Sequence, residues 1–404
     1  MIKVGSDFSG VGAFNQALNR LGIEYKEIFA CDMDKYARQT FIHNYGQPEY
    51  YPTNVYEREI PKESLDIYMT SPPCQAFSLA GKRLGKGDKR GILFFNSLEF
   101  IEKNQPRFFI FENVKGLLSD DGGKTFSEWI NLLGGKTVNG NPVLFPYADS
   151  VPYHLYWHVL NAKNHGVPQN RERVFLVGIR DDVDNNFRFP AEEHLTKRLK
   201  DVLESEVDEK FFLSEKMISY ISKDRNGNEN LVVNREIANA MTCSMKNQQR
   251  SSQDNYILIP SNNSKGYEKA TDGDSINLEF PESKTRRGRV WKGVAQTLDT
   301  GCQQGVLIGD YRTDEGFRWR NDGNSPAIMA MMRDTWKENF TGQNPPIVAM
   351  EYKIRRLTPR ECFRLMDFPD SFTWPVSDSQ AYKQAGNSIV VNVLYKILKN
   401  LNLC

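Results

Sequence analysis

Short apolar runs alternate with amphipathic stretches through the first 180 residues of the chain. Ile2-Lys3-Val4, Tyr25 to Ala30, Leu65 to Met69, Phe108 to Phe111 and Val174 to Val177 have the length and composition of strands. Between them, Ala13 to Leu21 and Leu93 to Lys103 carry apolar residues at helical spacing. Strands separated by helices need crossover connections, so the pattern predicts an α/β fold with a doubly wound, mostly parallel sheet. Such sheets bind ligands beyond the carboxyl ends of their strands.

From about Asp181 to Met350 the pattern changes. Asn, Gln, Ser, Gly and charged residues become frequent, and the apolar runs are short and irregular. Regular periodicity returns after Leu357, and Ile389 to Leu401 predicts a terminal helix. The expected organisation is a first domain built from residues 1–188 and 377–404, with a smaller, irregular domain over 189–376. A length of 404 residues independently favours more than one core.

Composition narrows the class. With 39% hydrophobic and 25% charged residues the chain is neither disordered nor fibrous. No run of about twenty apolar residues occurs, so no membrane span is expected. The first strand begins at Ile2, which predicts no signal peptide and a cytoplasmic protein. Cys31, Cys74, Cys243, Cys302, Cys362 and Cys404 form no C-x-x-C pair, so free thiols are expected rather than a disulfide framework. Lys+Arg 52 against Asp+Glu 51 leaves nucleic-acid binding open, because a local basic face suffices. Lys284, Arg286, Arg287, Arg289 and Lys292 form such a cluster, with a solvated face as the equally weighted alternative.

Candidate chemistry lies at the strand ends. Asp7-Phe8-Ser9-Gly10-Val11-Gly12 follows the first strand, and its glycines allow a tight turn with close backbone approach to a ligand. It lacks the third glycine of the dinucleotide fingerprint, which disfavours a nicotinamide enzyme. Asp32, at the end of the second strand, is placed to accept hydrogen bonds from ribose hydroxyls, and Asp34 to cap the next helix. Ser71-Pro72-Pro73-Cys74-Gln75-Ala76-Phe77-Ser78 sets a cysteine in a Pro-rich polar loop after another strand. A lone cysteine is more often a small buried hydrophobe, and a nucleophilic one needs help from its setting to ionise. Glu112 ends the next strand, and Arg171 and Arg173 alternate on one face of an extended segment. His154 and His158 make at best half a zinc site and are preferred as strand decoration, so no metal is expected.

In this order the pieces resemble the DNA (cytosine-5) methyltransferase family of bacterial or phage type. The resemblance rests on Asp7 to Gly12, Ser71 to Ser78, Glu112-Asn113-Val114, Gln169-Asn170-Arg171-Glu172-Arg173-Val174, Arg355 to Cys362, and Gln384-Ala385-Gly386-Asn387-Ser388. It covers about the first 180 residues and the last 50. It implies a Rossmann-like S-adenosylmethionine-dependent catalytic domain and a target-recognition domain.

The resemblance implies roles residue by residue. Cys74 would add to C6 of cytosine, Glu112 would act as general acid toward N3, and Arg171 and Arg173 would orient the base and its phosphates. Phe8, Ser9, Gly10 and Gly12 would line the methionine end of S-adenosylmethionine. Asp32 would hold its ribose, Met33 would pack on the adenine and Asn54 would accept from the adenine amino group. Pro73, Asn387 and Ser388 would border the cofactor. Gln75, Ser78, Arg286, Arg287, Arg289 and Thr297 would contact duplex DNA around a flipped-out cytosine. The implied protein is a monomer in the cytoplasm, near the nucleoid. It would be a solitary methylase or the modification enzyme beside a separate restriction endonuclease. Rival readings are an RNA cytosine methyltransferase with the same catalytic set, and a non-catalytic DNA-binding regulator on the same scaffold.

Overall fold

The computed structural model describes residues 1–72, 92–183, 186–212, 257–261, 267–270, 273–277, 288–298, 304–308, 310–312, 316–318 and 353–403. The chain forms two compact units. The larger comprises Met1–Lys197, Thr297–Cys302 and Pro359–Cys404, and the smaller comprises Arg198–Gln296 and Gln303–Thr358.

In the larger unit, β1 (Ile2–Asp7), α1 (Ala13–Leu21), β2 (Tyr25–Cys31), α2 (Lys35–Tyr45), β3 (Ile67–Thr70), α3 (Ile92–Asn104) and β4 (Phe108–Val114) alternate along the chain. They are followed by α4 (Lys124–Leu133), β5 (Thr137–Val138), β6 (Asn141–Pro142), β7 (Tyr153–Asn161), the two-residue β8 (Gln169–Asn170) and β9 (Glu172–Arg180). Eight of these strands make one sheet in the order β2-β1-β3-β4-β9-β7-β5-β6. β2, β1, β3 and β4 pair in parallel, whereas β9 runs antiparallel to both β4 and β7. The expected doubly wound, mostly parallel sheet is therefore present, with an antiparallel extension. Helices α5 (Pro359–Leu365), α6 (Asp378–Asn387) and α7 (Val391–Lys399) complete this unit.

The parallel strands read as continuous apolar runs because both their faces are covered. Phe29, Tyr68, Phe100, Phe109 and Phe111 belong to one buried cluster with Phe94 and Trp129. Two ring pairs in it stack with centroids 4.1 Å apart, Tyr68 on Phe100 and Phe94 on Trp129. One charge pair sits inside this apolar wall. Arg58 Nε lies 3.0 Å from Asp7 Oδ1, and the Tyr68 hydroxyl donates to Asp7 Oδ2 at 2.6 Å. Burial pushes the Asp7 carboxyl up, and Arg58 and Tyr68 pull against it.

A second carboxyl, on the half-buried Glu27, has a different setting. Glu27 in β2 accepts from Asn15 Nδ2 of α1, and its Oε1 is closed off from solvent. Burial pushes its pKa up to about 8, with Asn15 pulling weakly the other way. The folded state therefore keeps a proton that the unfolded chain releases near its ordinary value. The linked stability is full below that ordinary value and is lost as pH rises toward 8. Glu27→Gln is expected to melt several degrees above wild type at pH 9 and close to wild type at pH 5. Calorimetric melting across that range checks it, and parallel curves would contradict it.

In the smaller unit, Val290–Trp291, Ser275–Asn277, Gln304–Ile308 and Lys353–Arg356 form an antiparallel sheet in that order. Two hairpins accompany it, Ile257–Pro260 with Tyr267–Ala270 and Asp310–Arg312 with Gly316–Arg318. The boundaries differ from the expected cuts at 188/189 and 376/377. The C-terminal return begins at Pro359, because α5 packs on α6 and the Leu365 carbonyl accepts from the Gln169 amide.

Candidate active site

The carboxyl ends of β1, β2, β3 and β4 lie side by side at one edge of the sheet, where the sequence places its chemistry. After β1 the chain turns through three left-handed positions, Phe8 (φ 57°), Gly10 (φ 55°) and Gly12 (φ 86°). Gly12 is sterically required, because a Cβ there would come within 2.2 Å of the Tyr45 ring. Phe8 holds a conformation that non-glycine residues adopt only when surrounding structure imposes it, a common mark of ligand sites. The Gly10 N–H donates to Asp32 Oδ2 at 2.8 Å, and the Asp34 N–H donates to Asp32 Oδ1 at 2.8 Å. Two backbone donors thus fix the carboxylate at the mouth of the turn. Burial pushes the Asp32 carboxyl up, and those two donors oppose it. Asp34 caps α2 through Tyr36 and Ala37, as its sequence position predicts.

Met33 projects into solvent at 86% exposure beside this acid. A large apolar side chain held out next to a fixed carboxylate suits the flat face of a nucleoside base. Asn54 lies in a turn tied back to β2, since the Asp32 N–H donates to the Pro52 carbonyl at 3.3 Å. Its amide oxygen accepts from the Tyr56 N–H at 3.1 Å, leaving one lone pair for a ligand donor. Turn, acid, apolar platform and amide together are suited to an adenosine-bearing cofactor with an amino-acid tail.

The acid at the end of β4 is set by sheet register. Glu112 pairs with Phe175 and Val114 with Arg173, so Glu112 and Arg173 are diagonal neighbours on one face. Arg173 Nε lies 3.0 Å from Glu112 Oε1. Glu112 is buried, and burial pushes its carboxyl up against the pull of Arg173 and Arg171. A carboxyl held protonated above its ordinary range is able to donate. Beside it Asn113 donates from Nδ2 to the Pro72 carbonyl at 3.0 Å. That bond anchors the chain two residues before Cys74. Pro73, Cys74, Gln75 and Ser78 lie outside the described residues, as do Arg286 and Arg287. Cys31, by contrast, is buried in β2 with its thiol pushed up to about 12 by burial, so it is no nucleophile.

Arg171 differs from expectation. It is buried, Nη1 donates to the Leu298 carbonyl at 3.0 Å, and Nη2 donates to the Gly386 and Ser388 carbonyls at 3.0 and 2.8 Å. Its fork binds main chain, which suits holding the site together better than touching a base. Gln169 works the same way, accepting from the Leu298 N–H at 3.1 Å and donating to the Leu365 carbonyl at 2.7 Å. Ser388 is buried, whereas Asn387 is exposed at the end of α6. The Thr297 hydroxyl donates to the Asn170 carbonyl at 2.8 Å.

Arg289, expected on a basic face, is only 1% exposed. The N–H groups of Gly288, Arg289 and Val290 all donate to the Glu268 carboxylate, which draws this segment inward. His154 is engaged by Thr137 at 3.1 Å and by Asp181 at 3.1 Å. Sequence reasoning overlooked the roles of Asn113 and Gln169, although both stand inside the motifs it singled out. No helix among the described residues is long and apolar enough to cross a membrane.

The chain is similar to known proteins along nearly its whole length. The family profile described as C-5 cytosine-specific DNA methylase matches residues 2–402. The orphan methyltransferase M.SPRI of Bacillus phage SPR is 33% identical, over 99% of this chain and 97% of its own length. The type II methyltransferase M.HpaII of Haemophilus parainfluenzae is 31% identical, over 98% of this chain and 88% of its own. Among solved structures, DNMT2 of Spodoptera frugiperda aligns at 18% identity with a TM-score of 0.58, covering 99% of both chains. The Dnmt2 methyltransferase of S. pombe aligns at 18% identity with a TM-score of 0.57, over 99% of this chain and 98% of its own. Identities this low speak for a shared fold alone.

Proposed function

Because the chain belongs to the C-5 cytosine-specific DNA methylase family and is a DNA (cytosine-5) methyltransferase, we propose that it methylates a flipped-out cytosine in duplex DNA through a covalent adduct on Cys74. A methylase needs a methyl donor, and S-adenosylmethionine fits the Phe8–Gly12 turn, Asp32, Met33 and Asn54. When bound, it supplies the methyl as an electrophile on a sulfonium sulfur.

Cytosine C5 is too poor a nucleophile to take that methyl unaided. The Cys74 thiolate adds to C6, and the C5–C6 electron pair moves toward C5 while charge develops at N3. Glu112 donates there, and Arg173 holds the carboxyl in line. C5 then bonds the methyl as the methyl–sulfonium bond breaks, its electron pair staying on the donor sulfur as a neutral thioether. The C5 proton leaves to water, the proton at N3 returns to Glu112, the C6–S bond breaks, and the thiolate and the C5–C6 double bond are restored. The cytosine must leave the base stack for this, at roughly a few kcal/mol.

The single observation that carries this reading is Glu112, buried, raised and paired to Arg173 beside Asn113, which holds Pro72 two residues before Cys74. In this account the smaller unit reads the target in the major groove. The enzyme acts as a cytoplasmic monomer, either alone or beside a separate restriction endonuclease. Labelled-methyl incorporation from S-adenosylmethionine tests the substrate class. Duplex DNA is expected to accept label and tRNA to remain blank; label on tRNA alone would overturn the reading.

A further inference from the structure

The residues proposed for the adenosine half come from three separate segments: the Phe8–Gly12 turn, Asp32-Met33 and Asn54. One side chain bonds the backbone of the second segment and of the 51–52 stretch that leads to the third, and reaches the turn through the Tyr51 ring. Arg38, on α2, donates from Nη2 to the Tyr51 carbonyl at 2.7 Å and from Nη1 to the Pro52 carbonyl at 2.9 Å. Nη1 also reaches the Asp32 carbonyl at 3.4 Å. Its guanidinium lies 3.8 Å from the centre of the Tyr51 ring, and the Tyr51 hydroxyl is 3.2 Å from Ser9 Oγ. A planar fork that satisfies several carbonyls while stacking on an aromatic ring is a geometry only arginine supplies.

We propose that Arg38 is a positioning residue for the adenosine half of the methyl donor. It acts through the backbone of Asp32 and of the 51–54 loop. The proposal rests on the reading that these segments bind S-adenosylmethionine. Arg38 bonds main-chain oxygens and a ring face, so its loss leaves the ligand-facing groups present but misplaced. The penalty then falls on donor binding and not on DNA or on the chemical step.

The test uses the full chain with Arg38→Met and Arg38→Lys. Calorimetric Kd is measured for S-adenosylhomocysteine and for 5′-methylthioadenosine, which carries the adenosine half without the amino-acid tail. In Arg38→Met both Kd values are expected to rise about 10- to 100-fold. KM for DNA and kcat at saturating donor stay at wild-type values, and Arg38→Lys falls between. An unchanged Kd for both ligands, or a rise confined to S-adenosylhomocysteine, overturns the role of Arg38. So does a matching rise in KM for DNA. Should Arg38→Met fail to fold, Arg38→Lys decides: a raised Kd supports the role and a wild-type Kd overturns it. Failure of the wild-type protein to bind S-adenosylhomocysteine would instead remove the cofactor reading beneath it.

Discussion

Cys74→Ser is expected to lower kcat for methyl transfer at least about ten-thousandfold while leaving S-adenosylmethionine binding measurable. A serine hydroxyl keeps the size of the side chain, but its proton is held far more tightly than that of a thiol near 8.5. An alkoxide at neutral pH is not populated enough to add to C6. Without that addition C5 gains no electron density, so every later step stops. Neither Cys31 nor Cys362 can take over, since both are fully buried and burial pushes the Cys31 thiol up to about 12. Donor binding draws on other residues and should persist. The checks are single-turnover methylation and a calorimetric Kd for S-adenosylhomocysteine. Turnover near wild type would remove Cys74 from the mechanism.

Glu112→Gln should have the second largest effect, a loss of about 100- to 10,000-fold in kcat. Glutamine keeps an oxygen that can accept from Arg173 Nε, which lies 3.0 Å from Glu112 Oε1, so the fold is expected to hold. What disappears is the transferable proton. The pH profile carries a signature a structural role would lack. Burial raises the Glu112 carboxyl, so its proton is retained above the ordinary carboxylate range and is lost as pH rises through the raised value. Wild-type kcat should therefore fall on the alkaline side of that value, and the Glu112→Gln residual rate should not follow it. Profiles of the same shape would assign the alkaline limb to another group.

How far the sequence alone reaches depends on how local each interaction is. The strands of the parallel core stand out because residues such as Phe108 to Phe111 are apolar on both faces. Helix Val391–Lys399 emerges inside the periodic run from Ile389 to Leu401. The Gly10–Asp32 contact follows from placing two strand ends side by side. Arg171 shows the opposite limit. Its motif marks it for the active site, yet its partners lie 127 and 215 residues further along, at Leu298 and Gly386. No spacing rule reveals such partners. Arg289 fails for a related reason: a run of cations suggests solvent, and only the fold brings Glu268 against the backbone of that run. Arg38 and Tyr51 carry no motif at all, because their contribution is made through backbone carbonyls rather than recognisable chemistry.

The most direct measurement is covalent capture on a duplex whose target cytosine carries fluorine at C5. Methyl transfer to such a base leaves no proton to lose, so elimination cannot occur and the enzyme stays bound through sulfur. With S-adenosylmethionine present, we expect a denaturation-resistant protein–DNA complex, with the peptide bearing Cys74 carrying the nucleotide and Cys74→Ser giving none. A fully active preparation that forms no such complex, or one joined through any other residue, would contradict the account.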